Sequence, residues 1–428
     1  MPPRWRAASA TASSKSCAGP RLADASDPRR ALLLELLQAG LTRVAGRGCV
    51  REELARTGSP AAAPLWVAAV GKAAAAMAQG AHDALGGAIE RTLIITRDAE
   101  SAADFLGVPA VEVLTGAHPL PDERSLSAGA RLYAWVDELP AHVQPLFLIS
   151  GGASSLVEVL NEGVTLADLQ ELNRAGLAQG IAIGEFNARR VAISRIKGGR
   201  LATRLGGRAA RALFISDVPH DDPAVIGSGL MGPAASGPDN VQRTVVASID
   251  QAVAAVAARA RALGLTVHTA ARRFDDSAVR LAARCAHELS LAAEQVCVWG
   301  GESTVALPPA AGRGGRNQHL ALAAARLIAG HADLLLLAAG TDGSDGVTDD
   351  ASALVDADSC ARVALAELDA DACLKRADSA RALAASGDLV HTGPTGTNVG
   401  DLVIGLKLSA AAARTLPPLR GGPHARVL

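Results

Sequence analysis

The chain has 428 residues, with 42 Lys and Arg against 43 Asp and Glu and a formal net charge of −1. This balance gives no overall attraction to a phosphate backbone or an acidic membrane surface. Five Phe, four Trp and one Tyr are too few to supply the stacking platforms of a nucleic-acid binder.

At 49% apolar and 20% charged residues, the chain has the makings of a globular core divided among two or three domains. It has no charge-free apolar run long enough to span a bilayer. Residues 1–26 contain Arg4, Arg6, Lys15 and Arg21 with several Ser and no acid before Asp24. They draw no amphipathic face and read as a disordered N-terminus rather than a targeting segment. Order is expected from Asp27-Pro28, an N-cap followed by Pro at the first helical position, and Ala31–Val44 repeats Leu at helical spacing. Beyond it, Leu65–Val70, Thr92–Thr96, Leu146–Ser150, Ala212–Ser216, Val296–Trp299 and Leu334–Ala339 are uniformly apolar, as parallel strands covered on both faces are. Helices are expected over Ala73–Leu85, Asp122–Asp137, Leu166–Ile183, Val241–Leu263, Ser277–Ala293 and Asn317–Ala329. The alternation predicts an α/β architecture. A divide near residues 285–295 gives a larger domain over 27–290, a smaller one over 291–415 and a tail over 416–428. Six scattered Cys with no CxxC point to reduced thiols and a cytoplasmic protein.

Five of these strands run into loops of one character. Gly71-Lys72 follows the first, and Gly151-Gly152-Ala153-Ser154-Ser155 follows Leu146–Ser150. Asp217 opens the loop after Ala212–Ser216, Gly300-Gly301-Glu302 follows Val296–Trp299, and Gly340–Gly346 carries Asp342 and Asp345. Ligands of open α/β sheets bind at the carboxyl ends of strands, so five polar ends, four of them glycine-bearing, predict a site for anions and a cation. Lys72 stands at a helix start, where the dipole disfavours a cation unless an anion joins it. Ser154 and the Gly151-Gly152 amides suit phosphate oxygens or a simple tight turn. Lys197-Gly198-Gly199 lies in a basic cluster or a solvated helix end. Arg316, beside Asn317, can clamp a carboxylate or phosphate in bidentate fashion. Asp342 and Asp345 are Mg²⁺ carboxylates or turn-formers. Gly227–Gly232 matches GxGxxG, but its flanks lack the strand-turn-helix setting of a dinucleotide site.

Nine blocks in one order carry a family resemblance: VGKAA (70–74), GAHPLPDE (116–123), LISGG (148–152), IKGGRLA (196–202), ISDVPHDDPAVIGSG (215–229), GGEST (300–304), GGRNQ (314–318), GTDGSDG (340–346) and TGPTGTNVGDL (392–402). Together they resemble the glycerate 2-kinase family, whose second half is the MOFRL domain; some of its members carry the label hydroxypyruvate reductase. The resemblance implies two α/β domains, the larger Rossmann-like and doubly wound and the smaller of MOFRL type, with a cleft between them. It implies ATP, Mg²⁺ and D-glycerate, giving 2-phosphoglycerate, in a monomer or homodimer with no nucleic-acid or membrane partner. On that basis Lys72 and Arg316 neutralise the transferring phosphoryl group or the acceptor carboxylate, and Asp217 is the base. Gly151, Gly152, Ser154, Lys197, Gly198 and Gly199 hold nucleotide phosphates. Arg190 and Asn317 hold the acceptor, and Asp342 and Asp345 hold Mg²⁺. The alternatives are an NAD(P)H-dependent reductase, a kinase of another small hydroxy acid and a non-catalytic carboxylate binder. The chain departs from the family pattern at Val191-Ala192, where Lys-His is usual, and at Ala153, Ser155, His220, Leu230 and His319.

Overall fold

A computed structural model describes residues 27–58, 63–179 and 183–417; the expectations for residues 1–26 and for the tail beyond 417 lie outside them. The described chain forms two compact units, one made of Val44–Ser248 with Gly396–Val399, the other of residues 27–43, 249–395 and 400–417. These are not the divisions expected from sequence.

The first unit is built on six parallel strands: β1 (Leu65–Val70), β2 (Ile89–Thr96), β3 (Val111–Thr115), β4 (Gln144–Ile149), β5 (Ala210–Ile215) and β6 (Val241–Ala247). Their order across the sheet is β3-β2-β1-β4-β5-β6, the doubly wound arrangement in which the winding reverses between β1 and β4. Val70 pairs with Ile149 at that reversal. Leu, Val and Ile of the central strands are buried with Trp135, Phe147 and Phe214, which explains their unbroken apolar runs. The stretch expected as one helix over Val241–Leu263 is divided. Val241–Ala247 pairs as an edge strand with β5, and the helix begins only at Ile249. Val, Thr and Gln at this edge fit a half-buried strand better than a helix interior.

The second unit carries β7 (Val267–Thr269), β8 (Phe274–Ser277), β9 (Val296–Thr304), β10 (Leu334–Gly340), β11 (Ser352–Asp356), β12 (Leu389–Val390) and β13 (Asp401–Lys407). Seven strands make a mixed sheet in which β13 lies between β10 and β9 and runs antiparallel to both. The apolar strands β9 and β10, expected to be parallel, are therefore separated by a third strand that reverses the direction of pairing. The helix Pro28–Arg43 belongs to this unit. It begins at Pro28 with Asp27 Oδ1 accepting the Arg29 N–H at 2.9 Å, as the N-cap signal predicts. It buries Leu32, Leu33, Leu36 and Leu37. Gly40 lets it approach Val256 and Leu402; a side chain there would begin 3.0 and 3.3 Å from their methyl groups. Its Arg30, 1% exposed, reaches Asp356 at 2.8 Å and Asp388 at 3.1 Å. Arg362 holds the same two carboxylates at 2.9 and 2.7 Å. Burying a charge is costly unless it is paired in this way. No described helix is long and apolar enough to cross a membrane.

Candidate active site

The carboxyl ends of β1 and β4, at the reversal of winding, are stitched together by the loops that follow them. Lys72 donates its backbone N–H to Gly151 O at 2.9 Å, and the Ala73 N–H reaches the Ser150 hydroxyl at 3.1 Å. Gly71 adopts φ +132°, and a side chain on it would begin 2.1 Å from Ser150 Oγ; only glycine fits. The next glycine pair forms the floor of the site. A side chain on Gly151 would begin 2.0 Å from both Asp217 Oδ2 and Asn398 Nδ2, and Asn398 donates to that carboxylate at 3.1 Å. A side chain on Gly152, at φ +83°, would begin 3.1 Å from Lys72 Cγ and 3.3 Å from His118 Cδ2. Lys72, Asp217, Gly151 and Gly152, expected together from sequence, are brought together here. His118 and Asn398 complete the cluster. Their blocks were legible, but nothing in the spacing showed that they return to this loop.

Arg190 and Ser154 also meet. Arg190, 7% exposed, donates to Ser154 Oγ at 3.2 Å, Ser155 Oγ at 3.1 Å and Asn173 Oδ1 at 2.7 Å, and lies over the Phe186 ring. Burial, opposed by nearby Glu158, lowers its pKa to about 10.

The expected phosphate-binding run Lys197-Gly198-Gly199 does something else. Lys197 is fully buried, with its ammonium paired to Glu158, and burial lowers its pKa to about 8 against the pull of that carboxylate. The Gly198 and Gly199 N–H groups donate to Ser228 O and Gly229 O at 2.9 and 2.8 Å. A side chain on Gly199 would begin 1.7 Å from Pro233 O. Their amides are thus spent on the Gly227–Gly232 stretch, and the run braces that loop instead of facing a nucleotide. The GxGxxG match itself is a short 3-10 turn over Ile226–Ser228 followed by loop up to β6, which is not the setting of a dinucleotide site.

In the second unit, Arg316 opens the helix Arg316–Leu327. Its guanidinium is gripped by Asp401 through Nε at 2.7 Å and Nη2 at 3.1 Å, and Nη1 pairs with Glu302. Burial opposes the charge, but the two carboxylates outweigh it and hold the guanidinium above its ordinary pKa. Asn317, expected on the acceptor, is buried and donates Nδ2 to Asp401 at 2.9 Å. Asp345, expected on the metal, instead accepts the N–H groups of Asn317 and Gln318 at 3.2 and 2.7 Å. It caps the helix that carries Arg316. Burial pushes its pKa up to about 7 even with those two N–H bonds. Asp342 Oδ1 accepts from the Ser344 N–H and hydroxyl at 3.0 and 3.2 Å. Among the described residues no three His, Cys, Asp or Glu gather as a metal cage. Mg²⁺ characteristically relies on one or two carboxylates plus substrate phosphates, and of this pair Asp342 is partly exposed whereas Asp345 is 2% exposed.

Residues 32–263 match a family described as a domain of unknown function (DUF4147), and residues 295–401 match the MOFRL family. A D-glycerate 2-kinase of Thermotoga maritima is 34% identical over 79% of this chain and 89% of its own. The chain belongs to the glycerate 2-kinase family. The crystal structure of a Thermotoga maritima glycerate kinase superposes with a TM-score of 0.78 at 32% identity, covering 89% of this chain and 99% of that one. A protein of Agrobacterium vitis, 35% identical over 78% of this chain and 85% of its own, bears the provisional name hydroxypyruvate reductase.

Proposed function

We propose that the chain is an ATP-dependent kinase that phosphorylates D-glycerate on its 2-hydroxyl, giving 2-phosphoglycerate and ADP. The observation that carries this reading is the convergence of Lys72 and Asp217 on the Gly151-Gly152 floor, at the reversal point of the sheet. Phosphoryl transfer asks a protein mainly for positioning and charge stabilisation. The glycine pair admits phosphate oxygens close to the backbone, and the Lys72 ammonium neutralises charge on the transferring group. The Asp217 carboxylate, oriented by Asn398, takes the proton of the glycerate 2-hydroxyl as that oxygen bonds to the γ-phosphorus and ADP departs. On the family resemblance Arg316, whose Nη1 edge is paired with Glu302, is assigned to an anionic group, and Asp342 is the carboxylate suited to Mg²⁺. When bound, the ion neutralises phosphate charge.

The test is ATP consumption with D-glycerate, with the product located by phosphorus NMR, in the wild type and in Lys72→Ala and Asp217→Asn. Loss of one electrostatic stabiliser characteristically costs on the order of 10²-fold in kcat, and each variant is expected to lose about that much. Product phosphorylated on O3, undiminished turnover in excess chelator, or a near-normal kcat in Lys72→Ala would each overturn the corresponding part of the assignment.

A further inference from the structure

Among the described residues the buried guanidinium groups of Arg30, Arg362 and Arg211 each have a carboxylate within 4.0 Å, and Arg190 has none. Arg30 and Arg362 share Asp356 and Asp388, and Arg316 has Asp401 and Glu302. Arg190 is as deeply buried as Arg362, yet its hydrogen-bond partners are two hydroxyls and an amide, all neutral. Its Nε is buried with no partner among the described residues. The nearby carboxylate, Glu158, is already engaged. It holds the Lys197 ammonium, the Ser194 hydroxyl at 2.5 Å and the Val159 N–H at 3.0 Å. Arg190, Lys197 and Glu158 therefore leave one uncompensated positive charge in a buried setting, an arrangement that is costly unless an anion joins it.

The hydroxyls give that charge a direction. Ser154 Oγ and Ser155 Oγ each accept an N–H from the guanidinium, so the proton of each hydroxyl must point elsewhere. Among the described residues no acceptor receives either proton. Ser154 follows the Gly151-Gly152 floor by two residues, which places at least one oriented O–H donor beside the proposed phosphoryl-transfer site.

We propose that Ser154 and Ser155, oriented and polarised by Arg190, form an oxyanion subsite that takes the carboxylate of the acceptor. Arg190 is the positioning residue, and the serine hydroxyls make the contact. A single surplus charge matches a single carboxylate. A nucleotide phosphate presents the same oxyanion chemistry, and the experiment separates the two. The inference rests on the kinase reading, so ligand binding is measured apart from turnover.

Full-length wild type, Ser154→Ala, Ser155→Ala, Arg190→Gln and Arg190→Lys are compared for kcat and for both KM values, and D-glycerate binding without nucleotide is measured by calorimetry. A lost charge-assisted hydrogen bond corresponds to roughly 10- to 150-fold in affinity. Ser154→Ala is expected to raise KM and Kd for D-glycerate by about that factor, with KM for ATP unchanged. Arg190→Gln is expected to do the same, and Arg190→Lys to recover part of the loss. Should Arg190→Gln fail to fold, the serine variants carry the test. A rise confined to KM for ATP would overturn the carboxylate assignment in favour of a phosphate. Unchanged constants for both ligands in folded serine variants would overturn the subsite itself. If the wild type turned over no glycerate yet bound it, with binding lost in Ser154→Ala, the kinase reading would fail and the subsite would stand.

Discussion

Arg316 carries two carboxylates that differ in burial, and the difference sets what each is worth. Asp401 is 1% exposed and grips the Nε and Nη2 positions. Its oxygens also accept from Asn317 Nδ2 at 2.9 Å and the Ser303 N–H at 3.3 Å. Glu302 is 53% exposed and pairs with Nη1. An exposed ion pair contributes about 0–1 kcal/mol, whereas removing one member of a buried pair costs about 3–5 kcal/mol. An anionic ligand reaching Arg316 therefore displaces Glu302 and leaves Asp401 in place. Glu302→Gln removes the competitor. It is expected to lower KM for the ligand at Arg316 by up to about fivefold, the equivalent of about 1 kcal/mol. Stability should change by less than about 1 kcal/mol, with kcat close to wild type. Asp401→Asn leaves the guanidinium with Glu302 alone, and both kcat and thermal stability are expected to fall. Steady-state kinetics in each substrate, read beside thermal denaturation, check both variants. A collapse of kcat in Glu302→Gln without any gain in KM would refute the displacement argument and make Glu302 part of the machinery. Wild-type stability in Asp401→Asn would refute the burial argument.

Two further perturbations test the architecture. Arg30→Ala leaves Asp388, which is fully buried, with half its cationic partners, and is expected to destabilise the second unit by about 3–5 kcal/mol; Arg124→Ala, which removes an exposed pair with Asp122, should cost less than about 1 kcal/mol, and urea denaturation of both distinguishes them. Asp345 titrates at about 7 in the folded chain because burial raises it above its ordinary 3.8. The unfolded chain thus releases this proton first as pH rises, and the contribution of Asp345 to stability is greatest below about pH 4 and declines up to about pH 7. Subtracting the stability profile of Asp345→Asn from that of the wild type should reveal this decline, with a slope of at most about 1.4 kcal/mol per pH unit, and a flat difference would remove the assigned shift.

The sheet of the first unit was legible where strands are covered on both faces, because burial of Val67–Val70 and Leu146–Ile149 leaves an apolar run with no alternation. It was illegible at the edge. Half-exposed Val241–Val245 mixes Gln, Arg and Thr with Val and runs straight into helical sequence. That β9 and β10 each pair antiparallel with β13 instead of with each other depends on a strand some sixty residues beyond β10, and no local pattern reveals such a neighbour. The site divides in the same way. Glycine loops at strand ends announce themselves, and Lys72, Gly151, Gly152 and Asp217, read from them, lie together in the structure. What sequence does not reveal is whether a polar group is already satisfied inside the fold. The Gly198 and Gly199 amides and the Asp345 carboxylate are the same chemistry as a phosphate cradle and a metal ligand, yet Ser228, Gly229, Asn317 and Gln318 use them.

Val191 follows the same logic. A side chain on Gly198 would begin 2.5 Å from its Cγ1, so the position where the family usually has Lys packs against the brace, and Ala192 beside it is exposed. The departure from Lys-His is thus first a change in how this helix meets the Gly198 turn. The positive charge left in the buried cluster is that of Arg190, whose hydrogen bonds run directly to Ser154 and Ser155. On the proposed role of Ser154 and Ser155, anion recognition does not require the Lys-His pair, and no residue need take over its position.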